Sequence, residues 1–314
     1  MMPKLVAFAT RVRDFCVRRP LLKKFVKRMK FSLVTSWCRL QRSGLDPRPK
    51  ILGYHAVGDG LSDISLPAEK FRAQMDWLVR NGYQILTLKA YWEIIAAGKT
   101  VMPRTVVLTF DDGYRSVLQY AAPILARYGL AGTVFIITDH VGKTNAYDKP
   151  FLGIPELPLL DWDEIRQLKE MGWDIQSHTR QHYPLHGLGP ELLRQELTES
   201  KRVLEEMLGE PCEYFCYPYG AWDEAATEAV SDAGYNAAVT CLSGTAATKP
   251  DGSRHRLRRT LVDGLMSLGD FAALFTPAYH RYMDYFLGHK ECAGMLSAYP
   301  AGKAPISGLE EVAV

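Results

Sequence analysis

The sequence predicts an α/β fold in which parallel strands form one sheet and helices cross over between them. Short apolar segments rich in β-branched residues alternate with longer amphipathic segments, and this alternation is typical of a parallel sheet. The chain has 314 residues, of which 47% are hydrophobic, and that is enough to form a single large core. We therefore expect one α/β domain of barrel size with appendages.

The predicted elements follow from the spacing of apolar residues along the chain. The predicted strands are Lys50–Tyr54, Thr105–Phe110, Gly132–Ile137, Trp173–Ser177, Glu213–Tyr217, Asn236–Thr240 and Arg256–Val262. The predicted helices are Glu69–Asn81, Tyr114–Tyr128, Asp161–Met171, Pro190–Leu208, Asp223–Ala233 and Ser267–Phe275. Residues 139–160 form a long loop that contains glycine, proline and asparagine, and loops of this length often carry function.

Charge separates the N-terminal segment from the rest of the chain. Residues 1–43 hold 12 of the 38 basic side chains and one of the 35 acidic side chains, so the remainder is acidic. We predict a basic amphipathic helical arm over residues 1–46, a folded domain over residues 47–292 and a C-terminal tail over residues 293–314. The six cysteines include no C-x-x-C pair, which indicates reduced thiols.

The arm carries apolar side chains at helical spacing, for example Leu5, Phe8, Val12 and Phe15. A basic amphipathic helix suits a membrane surface that contains anionic lipids. The first apolar run is too short for a secretory signal, and no stretch approaches the ~20 apolar residues of a spanning helix. We therefore expect a peripheral protein on the cytoplasmic side of a bacterial membrane, with a solvated leader or a helix packed on the domain as alternatives. No aromatic-interleaved basic motif predicts nucleic-acid binding.

Four groups of candidate functional residues directly follow predicted strands. They are His55, the pair Asp111 and Asp112, the pair His178 and His182, and the pair Pro218 and Tyr219. In a closed parallel barrel, the carboxyl ends of all strands form one face, where active sites lie. Residues far apart in sequence are therefore expected to converge.

The residue types in these motifs indicate metal-assisted hydrolysis. Two imidazoles and one carboxylate are a common zinc ligand set that leaves room for water and substrate. If the segment after the strand turns helically, His178 and His182 project to the same side. One of two adjacent aspartates can bind the metal while the other accepts a proton. Each motif alone also fits a surface histidine pair or an Asp-Asp-Gly turn, but their joint occurrence favours hydrolysis of an unactivated amide.

The combination of Thr109-Phe110-Asp111-Asp112-Gly113 with Ser177-His178-Thr179-Arg180-Gln181-His182 resembles the polysaccharide deacetylase family. That family carries the NodB homology domain and is also called carbohydrate esterase family 4. The resemblance spans residues 50–275, and it implies a distorted (β/α)7 barrel. It further implies Asp111 as the general base and a divalent metal, most commonly zinc, held by Asp112, His178 and His182.

The third motif and the general acid depart from the common family pattern. Tyr219 matches the residue whose backbone N–H helps hold the oxyanion, and Tyr217 and Pro218 complete this predicted substrate-binding turn. Cys216 stands where many members have an arginine that orients the base. Arg259 is the predicted replacement, with an ordinary salt-bridge arginine as the alternative. His55, in Tyr54-His55, is the predicted general acid in preference to His289, in Leu287-Gly288-His289.

The resemblance implies a metal-dependent enzyme that removes an N-acyl group, expected to be acetyl, from an amino sugar. The basic arm favours a lipid-linked sugar or glycolipid precursor as the substrate. Two alternatives remain open: a deacetylase of exported polysaccharide, and a catalytically silent carbohydrate-binding protein, which the missing arginine of the third motif would fit.

Overall fold

The structure is a computed structural model that describes residues 28–29, 32–38, 40, 44–58, 64–148, 155–247 and 254–282. The chain separates into two compact units. One contains the described residues up to Asp46 together with Leu265–Tyr282, and the other contains Pro47–Gly264. Most of the basic arm, His289 and the predicted tail at 293–314 lie outside the described residues.

The larger unit alternates strands with helices. Its strands are β1 (Lys50–Tyr54), β2 (Ala56–Gly58), β3 (Ser65–Pro67), β4 (Gln84–Leu86), β5 (Thr105–Phe110), β6 (Thr133–Ile136), β7 (Asp174–Ser177), β8 (Tyr214–Cys216), β9 (Ala237–Val239) and β10 (Thr260–Leu261). Its helices are α1 (Ala68–Arg80), α2 (Leu88–Ala96), α3 (Ala122–Ala126, after a π-helical turn at Val117–Ala121), α4 (Trp162–Glu170), α5 (Pro190–Leu208) and α6 (Glu224–Asp232).

The main sheet is parallel and curled. Seven strands lie side by side in the order β10-β1-β5-β6-β7-β8-β9, and β4 adds to β5. Every pairing between these strands is parallel. A parallel bridge between Val239 and Leu257 connects β9 to the segment that leads into β10, so the two ends of the sheet approach each other. The predicted α/β barrel of the NodB type is confirmed.

One face of the sheet builds the core beneath the site. A buried apolar cluster contains Ile51, Val107, Phe135, Tyr214 and Val239 from five strands, together with side chains of α2. Residues two apart in a strand point to the same face. The series that begins with Val107 therefore continues through Thr109 to Asp111, which lies just beyond the end of β5. The apolar interior thus leads directly to the acidic residues at the strand ends.

Several short elements were not predicted from the sequence. Strands β2, β3 and β4 have three residues each, too few to establish an alternating pattern. Helix α2 was missed as well; it begins after Thr87, whose hydroxyl accepts a hydrogen bond from the Ala90 N–H. The helix predicted over Tyr114–Tyr128 is shorter: residues 115–126 are helical, with a π-helical segment at Val117–Ala121. The predicted N-cap Asp161 is confirmed, since it forms a capping box with Glu164.

The smaller unit packs short helices around a small core. Residues 32–38 are helical, as are α7 (Leu268–Ala273) and α8 (Pro277–Tyr282). The buried side chains of this core are Val34, Cys38, Ala273 and Ala278. Among the described residues, no helix combines the length and the apolar character needed to cross a membrane.

Candidate active site

The turn after β5 sends two neighbouring carboxylates in different directions. Asp112 and Gly113 both have left-handed backbone conformations, with φ of 69° and 70°. A side chain at Gly113 would be strained by this φ and would also lie 2.8 Å from Ile136 Cδ1, so the turn requires glycine there. Aspartate tolerates the left-handed region better than most residues. As a result, Asp111 faces Arg259 while Asp112 faces two histidines.

Asp111 is held by a buried arginine. Arg259 donates from its two terminal nitrogens to the two carboxylate oxygens of Asp111, at 2.6 and 2.7 Å. Arg259 is 0% exposed and Asp111 is 3% exposed. Burial acts to raise the pKa of Asp111, but the charge and hydrogen bonds of Arg259 outweigh it and hold that pKa below its usual value. The carboxylate is therefore ionised and fixed in orientation.

The fold leaves space for this guanidinium inside the barrel. A Cβ at Gly53 would lie 3.1 Å from Arg259 Cζ, so only glycine fits at this position of β1 without moving the arginine. The remaining donors of Arg259 reach the Thr240 carbonyl at 3.1 Å and the Thr109 hydroxyl at 3.1 Å. Its Nη2 also lies 3.1 Å from Cys216 Sγ. Arg259, predicted as the replacement for the arginine missing at Cys216, thus lies against the carboxylate of Asp111.

Asp112, His178 and His182 converge on one point. Asp112 Oδ1 lies 3.3 Å from Nε2 of His178 and 3.3 Å from Nε2 of His182. All three residues are buried, and their ligand atoms are within 4.8 Å of one another. No hydrogen bond of good geometry reaches Asp112 Oδ1 from any residue that the structure describes. A buried carboxylate oxygen without such a bond, facing two imidazole nitrogens, fits a bound divalent cation.

The histidine loop converges without a helical turn, which corrects the geometry expected from the four-residue spacing. Residues 178–182 are not helical. Instead, Thr179 and His182 adopt left-handed φ values of 68° and 65°. The His182 N–H donates to the Thr179 hydroxyl at 2.9 Å. Two strained positions in one short loop are typical of functional sites.

The second ring nitrogen of each histidine has a partner that orients the ring. His178 Nδ1 lies 2.7 Å from the Cys216 carbonyl oxygen, so this nitrogen carries a proton and donates it. His182 Nδ1 lies 3.0 Å from the Tyr219 hydroxyl. When Nδ1 carries the proton, the Nε2 lone pair is free to bind a metal. Both rings are therefore arranged as metal ligands.

The pKa values of Asp112 and His182 depend on each other. Burial acts to raise the pKa of Asp112, but the neighbouring imidazoles of His178 and His182 hold it well below its usual value. For His182, burial acts to lower the pKa, and the carboxylate of Asp112 reverses this and raises it. The carboxylate of Asp112 is thus a buried negative charge that attracts cations.

A second potential ligand set shares His178. Asp111, His178 and Cys216 also bring one ligand atom each within 4.8 Å of one another. Burial raises the pKa of the Cys216 thiol well above its usual value, and a protonated thiol is a poor metal ligand. The carboxylate of Asp111 is moreover already engaged by Arg259. The set around Asp112 is therefore the better metal site.

The remaining predicted residues lie as follows. His55 follows β1, and its Nε2 is 3.9 Å from Asp111 Oδ2. Tyr219 has a left-handed φ of 58° inside the turn Pro218–Gly220. The hydroxyl of the buried Tyr217 donates to the His255 carbonyl at 3.0 Å, so its side chain is engaged away from the metal cluster. His289, the other candidate acid, lies outside the described residues.

Comparison with known proteins agrees with this geometry. The family model for polysaccharide deacetylases matches residues 98–238. YxkH of Bacillus subtilis, a protein classed with the polysaccharide deacetylases, is 30% identical over 256 residues, which cover 82% of this chain and 85% of YxkH. The chain belongs to the polysaccharide deacetylase family. It is accordingly a metal-dependent carbohydrate N-deacetylase, as the motifs implied.

Two further relatives of this deacetylase are informative. A poly-β-1,6-N-acetyl-D-glucosamine N-deacetylase of Staphylococcus epidermidis is 26% identical, over 76% of this chain and 82% of its own length. The structure of the deacetylase PplD of Streptococcus pyogenes matches with a TM-score of 0.63 at 22% identity, covering 74% of this chain and all of PplD. The latter supports the fold of the deacetylase.

Sequence reasoning missed two buried carboxylates that support this deacetylase site. Glu196 Oε2 accepts hydrogen bonds from the backbone N–H groups of Arg180 and Gln181, at 3.0 and 2.8 Å, and so holds the histidine loop. An acidic residue on the buried face of α5 was the available signal. Asp148 accepts a hydrogen bond from the Tyr219 hydroxyl at 2.7 Å. Only the unusual length of its loop pointed to it.

Proposed function

We propose that this protein hydrolyses the N-acetyl group of an N-acetylglucosamine-type amino sugar, with zinc as its metal. The observation that carries the proposal is the convergence of Asp112, His178 and His182 beside the Asp111–Arg259 pair. Two imidazoles and one carboxylate are the ligand type that zinc prefers in catalytic sites. A divalent cation held there would polarise the amide carbonyl and make a neighbouring water more acidic.

The residues around the metal ligands supply the proton transfers. Asp111, oriented by Arg259, is the proposed base that takes the proton of the attacking water. The amine leaving group must be protonated, and His55 is the proposed donor of that proton; the 3.9 Å between its Nε2 and Asp111 Oδ2 supports this assignment. The backbone N–H of Tyr219 is the proposed donor to the oxyanion.

The activity is tested directly with N-acetylglucosamine oligosaccharides. Incubation with the zinc-loaded full-length protein should release acetate and reduce the mass of the oligosaccharide by one acetyl group per event. Asp111→Asn is the matched negative control. Absence of acetate release from every oligosaccharide and lipid-linked amino sugar offered would favour the catalytically silent carbohydrate-binding alternative.

Two observations favour two different substrates. The staphylococcal relative is named for poly-β-1,6-N-acetyl-D-glucosamine, which supports a polysaccharide. The basic arm instead supports a lipid-linked sugar or glycolipid precursor at an anionic membrane surface, and hence a peripheral enzyme on the cytoplasmic side. Competing the two substrates in one reaction and comparing kcat/KM separates the alternatives.

The described part of the arm supports contact with a membrane. Met29, Leu33 and Leu40 recur at helical spacing and remain 49%, 64% and 79% exposed, and basic residues neighbour them in the sequence. Exposed apolar side chains beside positive charges favour an anionic lipid surface. In a flotation assay, the full-length protein should float with vesicles that contain phosphatidylglycerol, and neutralising Lys23, Lys24 and Lys27 with glutamine should reduce flotation. Unchanged flotation would remove the basis for the lipid-linked substrate.

A further inference from the structure

A chain of three polar side chains runs from the metal cluster into the loop between β6 and α4. His182 Nδ1 lies 3.0 Å from the Tyr219 hydroxyl, and that hydroxyl donates to Asp148 Oδ1 at 2.7 Å. The direct distance from His182 Nδ1 to Asp148 Oδ1 is 3.8 Å, so the tyrosine bridges the two. Asp148 is 2% exposed and His182 is 3% exposed.

The hydrogen bonds along this series of side chains determine the tautomer of the neutral His182 imidazole. A tyrosine hydroxyl has one proton, and here it is donated to Asp148. The hydroxyl oxygen can then only accept from His182, so Nδ1 must carry a proton. In the neutral ring, Nε2 then carries the lone pair, and it lies 3.3 Å from Asp112 Oδ1. A hydrogen-bonded partner on the far nitrogen also makes an imidazole a stronger ligand.

We propose that Tyr219 and Asp148 are positioning residues that hold His182 in its metal-binding tautomer and orientation. The proposal rests on the proposed metal site. It assigns a role to the side chain of Tyr219, whereas the family resemblance concerned only the backbone N–H of this residue. It also gives a function to Asp148, which lies outside all three sequence motifs.

Comparison with His178 shows what the Tyr219–Asp148 hydrogen bond contributes. His178 Nδ1 is held by the Cys216 carbonyl, a backbone group that strand β8 fixes in place. His182 lies in an irregular loop, and its Nδ1 is held by the side chain of Tyr219. That side chain needs a partner of its own to stay in place. The ring of Tyr219 lies 4.4 Å from that of His182, centroid to centroid, and its hydroxyl is anchored by Asp148. The carboxylate of Asp148 therefore supports the side chain that holds His182 Nδ1.

The same chain connects the metal site to the proposed oxyanion donor. Tyr219 adopts a left-handed φ of 58° between Pro218 and Gly220. A Cβ at Gly220 would lie 2.7 Å from Cys241 Cβ, so the turn packs closely against its neighbour. Anchoring the Tyr219 side chain to Asp148 thus helps to maintain a strained backbone whose N–H is proposed to face the substrate.

The test is zinc affinity rather than activity. We would measure the dissociation constant of zinc by competition with a chromophoric chelator, using full-length apoprotein with Tyr219→Phe, Asp148→Asn and the double substitution. Each single variant should bind zinc about 10- to 100-fold more weakly. The double variant should lose little more than Tyr219→Phe alone, because removal of the hydroxyl already breaks the chain.

Matched controls separate this role from general destabilisation. Tyr235→Phe removes another hydroxyl that donates to a backbone carbonyl, at 3.0 Å from the Leu197 oxygen, and Asp174→Asn changes another buried carboxylate that accepts side-chain hydrogen bonds. Both controls should keep wild-type zinc affinity. Imidazole ¹⁵N shifts should report a protonated Nδ1 at His182 in the wild-type apoprotein and a mixture of tautomers in Tyr219→Phe.

The outcomes distinguish the two levels of the argument. If wild-type protein binds zinc tightly while Tyr219→Phe and Asp148→Asn bind it equally well, the positioning role is wrong and the proposed function stands. If wild-type protein binds no zinc, the proposed metal site fails and the positioning role fails with it. Independent, fully additive losses in the double variant would also overturn a connected chain.

Discussion

Asp111 and Arg259 form a buried bidentate pair, with both carboxylate oxygens bound by the two terminal guanidinium nitrogens. The two residues are 148 positions apart in sequence, and Arg259 lies outside the residues matched by the family model. The pair combines charge stabilisation with a fixed orientation, which a single ammonium group cannot supply. It therefore explains how the site can hold an ionised, oriented base although Cys216 occupies the place of the usual arginine.

Replacing Arg259 by methionine should change the pH dependence of the enzyme. Arg259 lowers the pKa of Asp111, so without it that pKa rises and the base becomes protonated at a higher pH. The acid limb of the kcat/KM profile should move upward by about 1 to 3 pH units. The profile of Arg258→Met, which changes an exposed neighbour, should remain that of the wild type. An unmoved acid limb in Arg259→Met would contradict the assignment of Asp111 as the base held by Arg259.

Gly53→Ala should impair the site without replacing any polar group. The added Cβ would lie 2.7 Å from Leu261 Cδ2 and 3.1 Å from Arg259 Cζ, so the guanidinium must move. Misplacement of a catalytic group by about 1 Å can lower the rate about 10²-fold, and we expect a loss of that order in kcat/KM. Gly189→Ala is the control, because its Cβ would meet nothing within 4 Å. Wild-type kinetics in Gly53→Ala would mean that the position of Arg259 is not critical.

Asp111→Asn should separate proton transfer from metal binding. The amide cannot accept the water proton, so turnover should fall by about 10²- to 10⁴-fold. The metal ligands Asp112, His178 and His182 are unchanged, so metal content measured by plasma mass spectrometry should stay near the wild-type value. Asp112→Asn, the adjacent and chemically identical change, should lose metal as well as activity. Retained turnover in Asp111→Asn would require a different base.

His55→Gln should be most harmful with substrates that have poor leaving groups. An amine must be protonated as it leaves, so hydrolysis of the N-acetyl sugar should fall by about 10²- to 10⁴-fold. The aryloxide of an activated aryl acetate ester leaves without protonation. The variant should therefore hydrolyse this ester at close to the wild-type rate. If the amide and the ester lose activity equally, His55 does not act as the acid. The parallel variant His289→Gln decides between the two histidines, since the amide-selective loss should occur only in the variant of the true acid.

The sequence predicted the fold because its elements are locally encoded. Long amphipathic helices such as Pro190–Leu208 and β-branched strands such as Thr105–Phe110 were predicted with the limits that the structure shows. Since parallel strands end at the same edge of the sheet, the motifs that follow them were expected to converge, and the structure places His178 and His182 against Asp112. What local patterns could not supply were contacts made across the barrel.

The missed features depend on tertiary structure. Glu196 accepts hydrogen bonds from the histidine loop, 15 and 16 residues away, and Asp148 accepts one from Tyr219, 71 residues away. No spacing rule connects either residue to the motifs. The histidine loop was expected to turn helically, but left-handed residues at Thr179 and His182 produce the same convergence. Such conformations cost free energy locally and persist only because surrounding contacts enforce them, so sequence propensity cannot predict them.

The central claim is that one divalent cation binds to Asp112, His178 and His182 beside Asp111. Anomalous diffraction at the zinc absorption edge, from crystals grown with zinc, tests it most directly. We predict one strong peak about 2.0–2.2 Å from Asp112 Oδ1 and from Nε2 of both histidines. A peak bound instead by Asp111, His178 and Cys216, or no peak at this end of the barrel, would contradict the claim.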